Sequence, residues 1–165
     1  RSLVFEYIYT KYQSGPYNHD RTENIGDHIA GMDDYYNHSI YTGWQHWGQV
    51  IGNPLYRSPI YNTDNSIDVR NNRFYALHLG VEGSPTERLD YRVLTTYQKG
   101  WGTYNNPFTK AYKNLSFLVE AKYKFNHNWT VRGGYAMDFG SEKMYGHNAG
   151  FQLTVTKSGL LTKKK

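Results

Sequence analysis

Between Asn114 and Phe125 every second residue is apolar. Leu115, Phe117, Val119, Ala121, Tyr123 and Phe125 fall on one side of an extended chain, and Ser116, Leu118, Glu120, Lys122 and Lys124 on the other. Successive side chains of a strand point to opposite faces, so this period of two dictates a β-strand with one apolar and one polar face. The rhythm recurs in Ser2–Thr10, where Leu3, Phe5, Tyr7 and Tyr9 oppose Val4, Glu6 and Ile8. It returns from Phe74, with Tyr75, Leu77, Leu79 and Val81 on one face, and again over Arg88–Gln98, Trp129–Asp138 and Phe151–Thr156. Tight turns are expected at Gly83–Thr86 and Asn126–Asn128, and longer loops at Lys99–Lys113 and Gly140–Asn148. The expectation is six strands, or eight if a hairpin lies near Ser39–Ile51.

What such strands build depends on what their apolar faces meet. Those faces carry no charge, while Arg88, Asp90, Arg92, Glu120, Lys122, Lys124, Arg132 and Asp138 alternate with them. A soluble β-sandwich produces alternation too. Aromatic composition favours a different solution: 17 Tyr, 7 Phe and 4 Trp stand in a chain whose mean hydropathy is −0.79. A dry core of so many tyrosines would have to pair many hydroxyls. A membrane barrel places them at its lipid–water girdles and turns a polar face to the lumen, which also explains the low hydropathy. No apolar run is long enough for a transmembrane helix. The predicted class is therefore all-β, an antiparallel transmembrane β-barrel of the outer membrane. Six strands do not close a barrel of the usual minimum of about eight. No signal peptide stands before Arg1, and alternation begins at once. Residues 1–165 are accordingly expected to be a single portion, the C-terminal six to eight strands of a larger barrel, with a long external or lumen-folded loop at 11–73.

The basic excess is +5, and Lys163, Lys164 and Lys165 at one end supply much of it, so no basic stripe marks a nucleic-acid face. Cysteine is absent, which removes disulfides, thiolate metal sites and Cys nucleophiles. No cofactor is expected.

Function is expected in the aromatic stretch Asp33–Asn62, DDYYNHSIYTGWQHWGQVIGNPLYRSPIYN, which keeps neither strand nor helix periodicity for long. A loop of this length in a compact domain is usually functional or disordered, and its aromatics argue against disorder. Sugars present apolar C–H faces rimmed by hydroxyls, so a sugar site needs aromatic platforms and planar polar groups. Tyr35, Tyr36, Tyr41, Trp44 and Trp47 are candidate platforms. Asn37, Gln45, His46, Gln49 and Asn53 are candidate hydroxyl partners, and Arg57, Arg70 and Arg73 could meet the carboxylates of an acidic polymer. Packing of these aromatics on one another is the competing role.

Other chemistries are weaker. His19, Asp20, Asp27, His28, Asp33, Asp34 and His38 cluster without the ligand spacing of a calcium or zinc site. For a small barrel lipid hydrolase, only His38-Ser39 and His78 suggest a nucleophile and base. Charged residues alternating on the polar face would suit a pore or a cross-linked lumen equally.

The segments QSGPYNHD (Gln13–Asp20), DDYYNHSIYTGWQHWGQVIGNPL (Asp33–Leu55) and RFYALHLGVEGSPTERLDYRVLTTYQKGWGTYN (Arg73–Asn105) resemble the C-terminal part of Wzi-type capsule assembly proteins of Bacteroides-like bacteria. Gly-Trp-x-x-Trp-Gly and Ile-Gly-Asn-Pro-Leu are the most specific pieces. The resemblance implies a large outer-membrane β-barrel that binds capsular polysaccharide non-catalytically and helps anchor the capsule. Its partners would be that polysaccharide, outer-membrane lipid and the remainder of the barrel chain. Many barrel proteins end on an aromatic residue, whereas this chain runs past Val155 through Lys157, Leu160 and Leu161 to Lys165.

Overall fold

The computed structural model describes residues 1–12, 36–37 and 44–159. It is all-β apart from two short 3-10 turns, and its main unit, called the wall below, is one open antiparallel sheet, its two edge strands not paired with each other, of six strands. These are β1 (Ser2–Tyr9), β4 (Phe74–Gly83), β5 (Leu89–Gly102), β6 (Pro107–Lys124), β7 (Trp129–Gly140) and β8 (His147–Lys157), in the order β1-β4-β5-β6-β7-β8. The remaining two, β2 (Gln45–His46) and β3 (Gln49–Val50), form a small separate hairpin. A hairpin thus does lie within Ser39–Ile51, but it adds nothing to the wall.

Register keeps the two faces apart over the whole sheet. Leu3 pairs with Val81, Val81 with Val93, Val93 with Val119, Val119 with Tyr135 and Tyr135 with Phe151. These outward rows are exposed: Phe151 is 78% accessible, and even Val119, in the middle of the sheet, is 39% accessible. A one-residue slip of any strand would move its charges onto this face, so the apolar pattern fixes the register. The other face holds Glu6, His78, Thr96, Ser116, Asp138 and Asn148 as a row of Cα partners. Nearer the tight turns, Arg92 and Arg132 flank Glu120 at 3.3 and 3.8 Å, and Asp90 receives Lys122 and Lys124 at 3.1 and 3.3 Å.

The expected long loop at Lys99–Lys113 is instead mostly strand. β5 continues to Gly102 and β6 starts at Pro107, leaving only 103–106 as a turn. Hydrophobic alternation fades there because Lys99, Lys113 and the aromatics replace aliphatic residues, yet pairing continues with Lys99 opposite Lys113. A register irregularity between Gly100 and Gly102 then ends the clean parity, and Gly102 adopts φ +80°. The alternation of short and long turns expected from the sequence therefore does not distinguish the two ends of the sheet. The excursion 10–73 does. The end that carries it, with turns 103–106 and 141–146, is called the loop end; turns 84–88 and 125–128 make the opposite end.

Residues 44–73 fold back over the polar face at the loop end. Their core is Tyr36, Tyr56, Val69, Phe74 and Ala76, with Ile8, Val50 and Leu55 against it. The Tyr36 and Tyr56 rings lie 4.5 Å apart, and Tyr56 meets Phe74 at 5.0 Å. The Thr10 hydroxyl accepts from Phe74 N at 2.9 Å, and Asn37 exchanges two bonds with the backbone of Val69. Irregular chain buried here needs such partners for its backbone groups.

Candidate functional site

The hairpin of β2 and β3 turns through Trp47 and Gly48, both with positive φ (50° and 71°). Two central residues of positive φ match the right-handed twist of paired strands, and the turn is normally built from Asn and Gly. Tryptophan in this position is costly, and it is 87% exposed, so packing does not repay the cost. Trp44, two residues before the hairpin's second strand position, is 61% exposed, and the His46 ring stands edge-on to Trp47 at 6.2 Å. The loop thus offers two indoles to its surroundings on a short, hydrogen-bonded support.

Beneath the loop lies a cavity of about 830 Å³. Its roof includes Val50, Leu55, Arg57 and Ile60; its floor is Thr96, Ser116 and Asp138 on the polar face, with Tyr145 and Asn148 at one side. Apolar Val50, Leu55 and Ile60 interleaved with polar Arg57, and the hydroxyls of Thr96 and Ser116 opposite, give it the mixed lining that a hydroxylated ligand requires. On the floor, Ser116 donates to Asp138 at 2.5 Å and His78 Nδ1 lies 2.6 Å from the Thr96 hydroxyl. In the roof, Arg57 donates to Asn62 Oδ1 at 2.7 Å and to the Tyr61 carbonyl. Burial lowers the Arg57 pKa, and burial foremost raises that of Tyr145, whose hydroxyl donates to Pro54 O at 3.0 Å.

The predicted sugar-binding residues therefore divide. Trp44, His46 and Trp47 are presented at the hairpin, and Gln49 and Arg57 line the cavity. Tyr36 faces inward in the loop core, and burial raises its pKa. Gln45 donates to Tyr36 O at 2.8 Å, and Asn53 Oδ1 accepts from Leu55 N at 2.9 Å. Arg70 pairs with Asp64 and reaches Ser66, while Arg73 lies over the Tyr104 ring at 4.2 Å and does not line the cavity. Tyr35 and Tyr41 lie outside the described residues, as do His38, Ser39 and the whole His19–Asp34 part of the acidic and histidine cluster. Among the described residues no group of three potential metal ligands forms. Thr96, Ser116, Asp138, Tyr145 and Asn148 were not foreseen as cavity residues. The polar-face parity of Thr96, Ser116 and Asp138 was readable, but a loop folding down on them from a distant part of the chain leaves no local signal.

No family model, curated protein or solved structure matches the chain.

Proposed function

We propose that this chain forms part of the wall of an outer-membrane β-barrel that holds capsular or other surface polysaccharide without catalysis, as the resemblance to Wzi-type capsule assembly proteins implies. One observation carries the membrane part of the reading: an exposed apolar face, free of charge between its two ends, runs across all six wall strands. Soluble proteins rarely leave such a patch uncovered. At the loop end the face closes with Tyr9, Tyr75, Tyr97 and Trp101; at the other it closes with Tyr91, Tyr123, Phe125 and Trp129, where Lys157 lies 5.0 Å from the indole. Aromatic rows with lysines reaching past them are what two lipid–water interfaces select. From β4 to β8 the strands have 10, 14, 18, 12 and 11 residues, enough for a tilted crossing of about 9–11.

The sugar part rests on Trp44 and Trp47, held outward at a strained turn above a hydroxyl-lined cavity. Full-length protein purified in detergent should run as a heat-modifiable band and show saturable Trp quenching by capsular polysaccharide. A heat-modifiable band without quenching would leave the barrel and remove the sugar.

A pore is the second reading, and the Arg92–Glu120–Arg132 ladder on the polar face favours it. A conducting insertion in planar bilayers would support it. The hydrolase reading would rest on His38 and Ser39, which lie outside the described residues, and on His78, whose Nδ1 lies 2.6 Å from the Thr96 hydroxyl.

A further inference from the structure

The outward face changes character at its loop end. Lys99 and Lys113 are Cα partners there, one step above the uncharged rows of Tyr97 and Leu115. Lys11 Nζ lies 5.0 Å and Lys99 Nζ 5.8 Å from the centre of one ring, Trp101. The two ammoniums therefore share a single indole. Arg73, whose carbonyl accepts from Trp101 N at 2.8 Å, adds a guanidinium over Tyr104. Its Nη1 reaches Thr103 O at 3.3 Å, while its Nε is buried without a hydrogen-bond partner among the described residues.

Charge pairing separates these four cations from those of the polar face. Arg92, Lys122, Lys124 and Arg132 all meet Asp90 or Glu120. None of Lys11, Arg73, Lys99 and Lys113 has a carboxylate partner among the described residues. Of the described acids near this end, Asp138 lies on the polar face and accepts from Ser116, and Asp64 is taken by Arg70. Four like charges that meet no carboxylate among the described residues repel one another unless an anion joins them. At the opposite end the same face ends with Lys157 beside Trp129.

We propose that Lys11, Arg73, Lys99 and Lys113, set around Trp101, bind the phosphates of an anionic outer-leaflet lipid whose acyl chains lie along the apolar face. The proposal rests on the reading of that face as lipid-facing. Three features select this ligand. The cations lie on the rim of an apolar band, so headgroup and chains are met together. Long loops mark the outer side of such barrels, which places the patch at the outer leaflet. Cations near a membrane surface each add to the attraction for anionic lipid, so a cluster discriminates by charge. An acidic glycan could use the charges but not the band beneath them.

The test uses the full-length protein, delipidated in zwitterionic detergent, with native mass spectrometry reading the lipid retained. Lipid A, its enzymatically dephosphorylated form, phosphatidylglycerol and phosphatidylcholine are the probes. Phosphorylated lipid A and phosphatidylglycerol should be retained at least about tenfold better than the two others, and Lys11→Gln/Lys99→Gln/Lys113→Gln should erase the preference. Lys122→Gln/Lys124→Gln should keep it. Equal retention of phosphorylated and dephosphorylated lipid A overturns the proposal with no variant needed. So does displacement of bound lipid by inorganic phosphate or by acidic capsular polysaccharide, each of which would name a different ligand. Flotation with phosphatidylcholine vesicles is scored separately. A protein that does not float loses the lipid-facing reading and this proposal together; one that floats without phosphate preference loses only the latter.

Discussion

Gln98, on the polar face of β5, donates from Nε2 to the carbonyl oxygen of Leu55 at 2.8 Å. The neighbouring carbonyl, Pro54, accepts from the Tyr145 hydroxyl at 3.0 Å. A β5 side chain and a side chain of the 141–146 turn thus hold two successive carbonyls of the aromatic loop, and Pro54, Leu55 and Tyr145 line the cavity. Gln98 is 1% exposed, so its replacement by Leu leaves the Leu55 carbonyl without this donor and is expected to cost about 1–3 kcal/mol. Tyr145→Phe removes a more accessible bond and is expected to cost about 1 kcal/mol. Limited proteolysis within 44–62 measures both. The double variant should release the loop while the wall strands keep their protection; equal cleavage of wall and loop would mean that the two do not open separately.

Trp47 should exchange stability for binding. Its positive φ suits Asn better, so Trp47→Asn is expected to stabilise the hairpin by up to about 1 kcal/mol. The same change removes an exposed indole and should weaken polysaccharide binding by about three- to tenfold, the worth of one aromatic contact. Trp44→Ala should weaken binding without the gain in stability. Titration of each variant with capsular polysaccharide, beside a thermal melt, separates the effects. A Trp47→Asn protein that binds as before would move the sugar site away from the hairpin.

Two loop groups make opposite pH predictions. Hydrogen bonding from Arg70, then from Ser66, lowers the Asp64 pKa to about 2 from 3.8. A depressed folded pKa means that the contribution is present above about 4 and is lost as pH falls toward 2. Asp64 is exposed, so the effect should be small and should shrink with salt. Tyr56 is displaced the other way: burial first, then Tyr36 nearby, raises its pKa to about 12 from 10.0, against a hydrogen bond with Thr10 that lowers it. The fold holds the neutral phenol, so stability is full below 10 and falls as pH rises toward 12. Tyrosinate absorbance followed through that window should rise late for Tyr56, and Tyr56→Phe should shrink the late rise, to which Tyr36 and Tyr145, both raised by burial, also contribute. Asp64→Asn should remove the part of the acid loss that Asp64 contributes.

Much of the wall was legible because period two is a local property. Leu115 through Tyr123 alternate so strictly that the two faces followed from them, whereas the pairing register came from the structure. The aromatic loop was legible in place but not in detail. Tyr36, Trp44 and Trp47 are alike as residue types, and whether each packs or protrudes is decided by Tyr56, Phe74 and the turn at Gly48. The same holds for Gln45 and Asn53, whose amides serve the loop's own backbone. At Lys99–Lys113 the local signal misled: lysines and aromatics beyond the aliphatic band look like loop residues, although the partner strand continues beside them.

Val119 and Leu118 offer the sharpest test of what the wall faces. They are neighbours in β6, one pointing outward and the other toward the polar face, and their strand partners are Val93 and Leu94. Val119 is already 39% exposed. If that exposure were to water, Val119→Arg would be nearly neutral, since a surface position accepts a charge within about 0.5 kcal/mol. If it is to hydrocarbon, the same change near the middle of the band should cost about 2–4 kcal/mol and reduce insertion. Leu118→Arg would enter a face that already holds Arg92 and Glu120 on the adjoining row, so in a membrane it should be the milder substitution. Recovery of each variant in the heat-modifiable, vesicle-floating fraction gives the comparison. Loss for Val119→Arg with survival of Leu118→Arg requires a lipid-facing wall, and the reverse order would place the buried side of this sheet where its apolar residues are not.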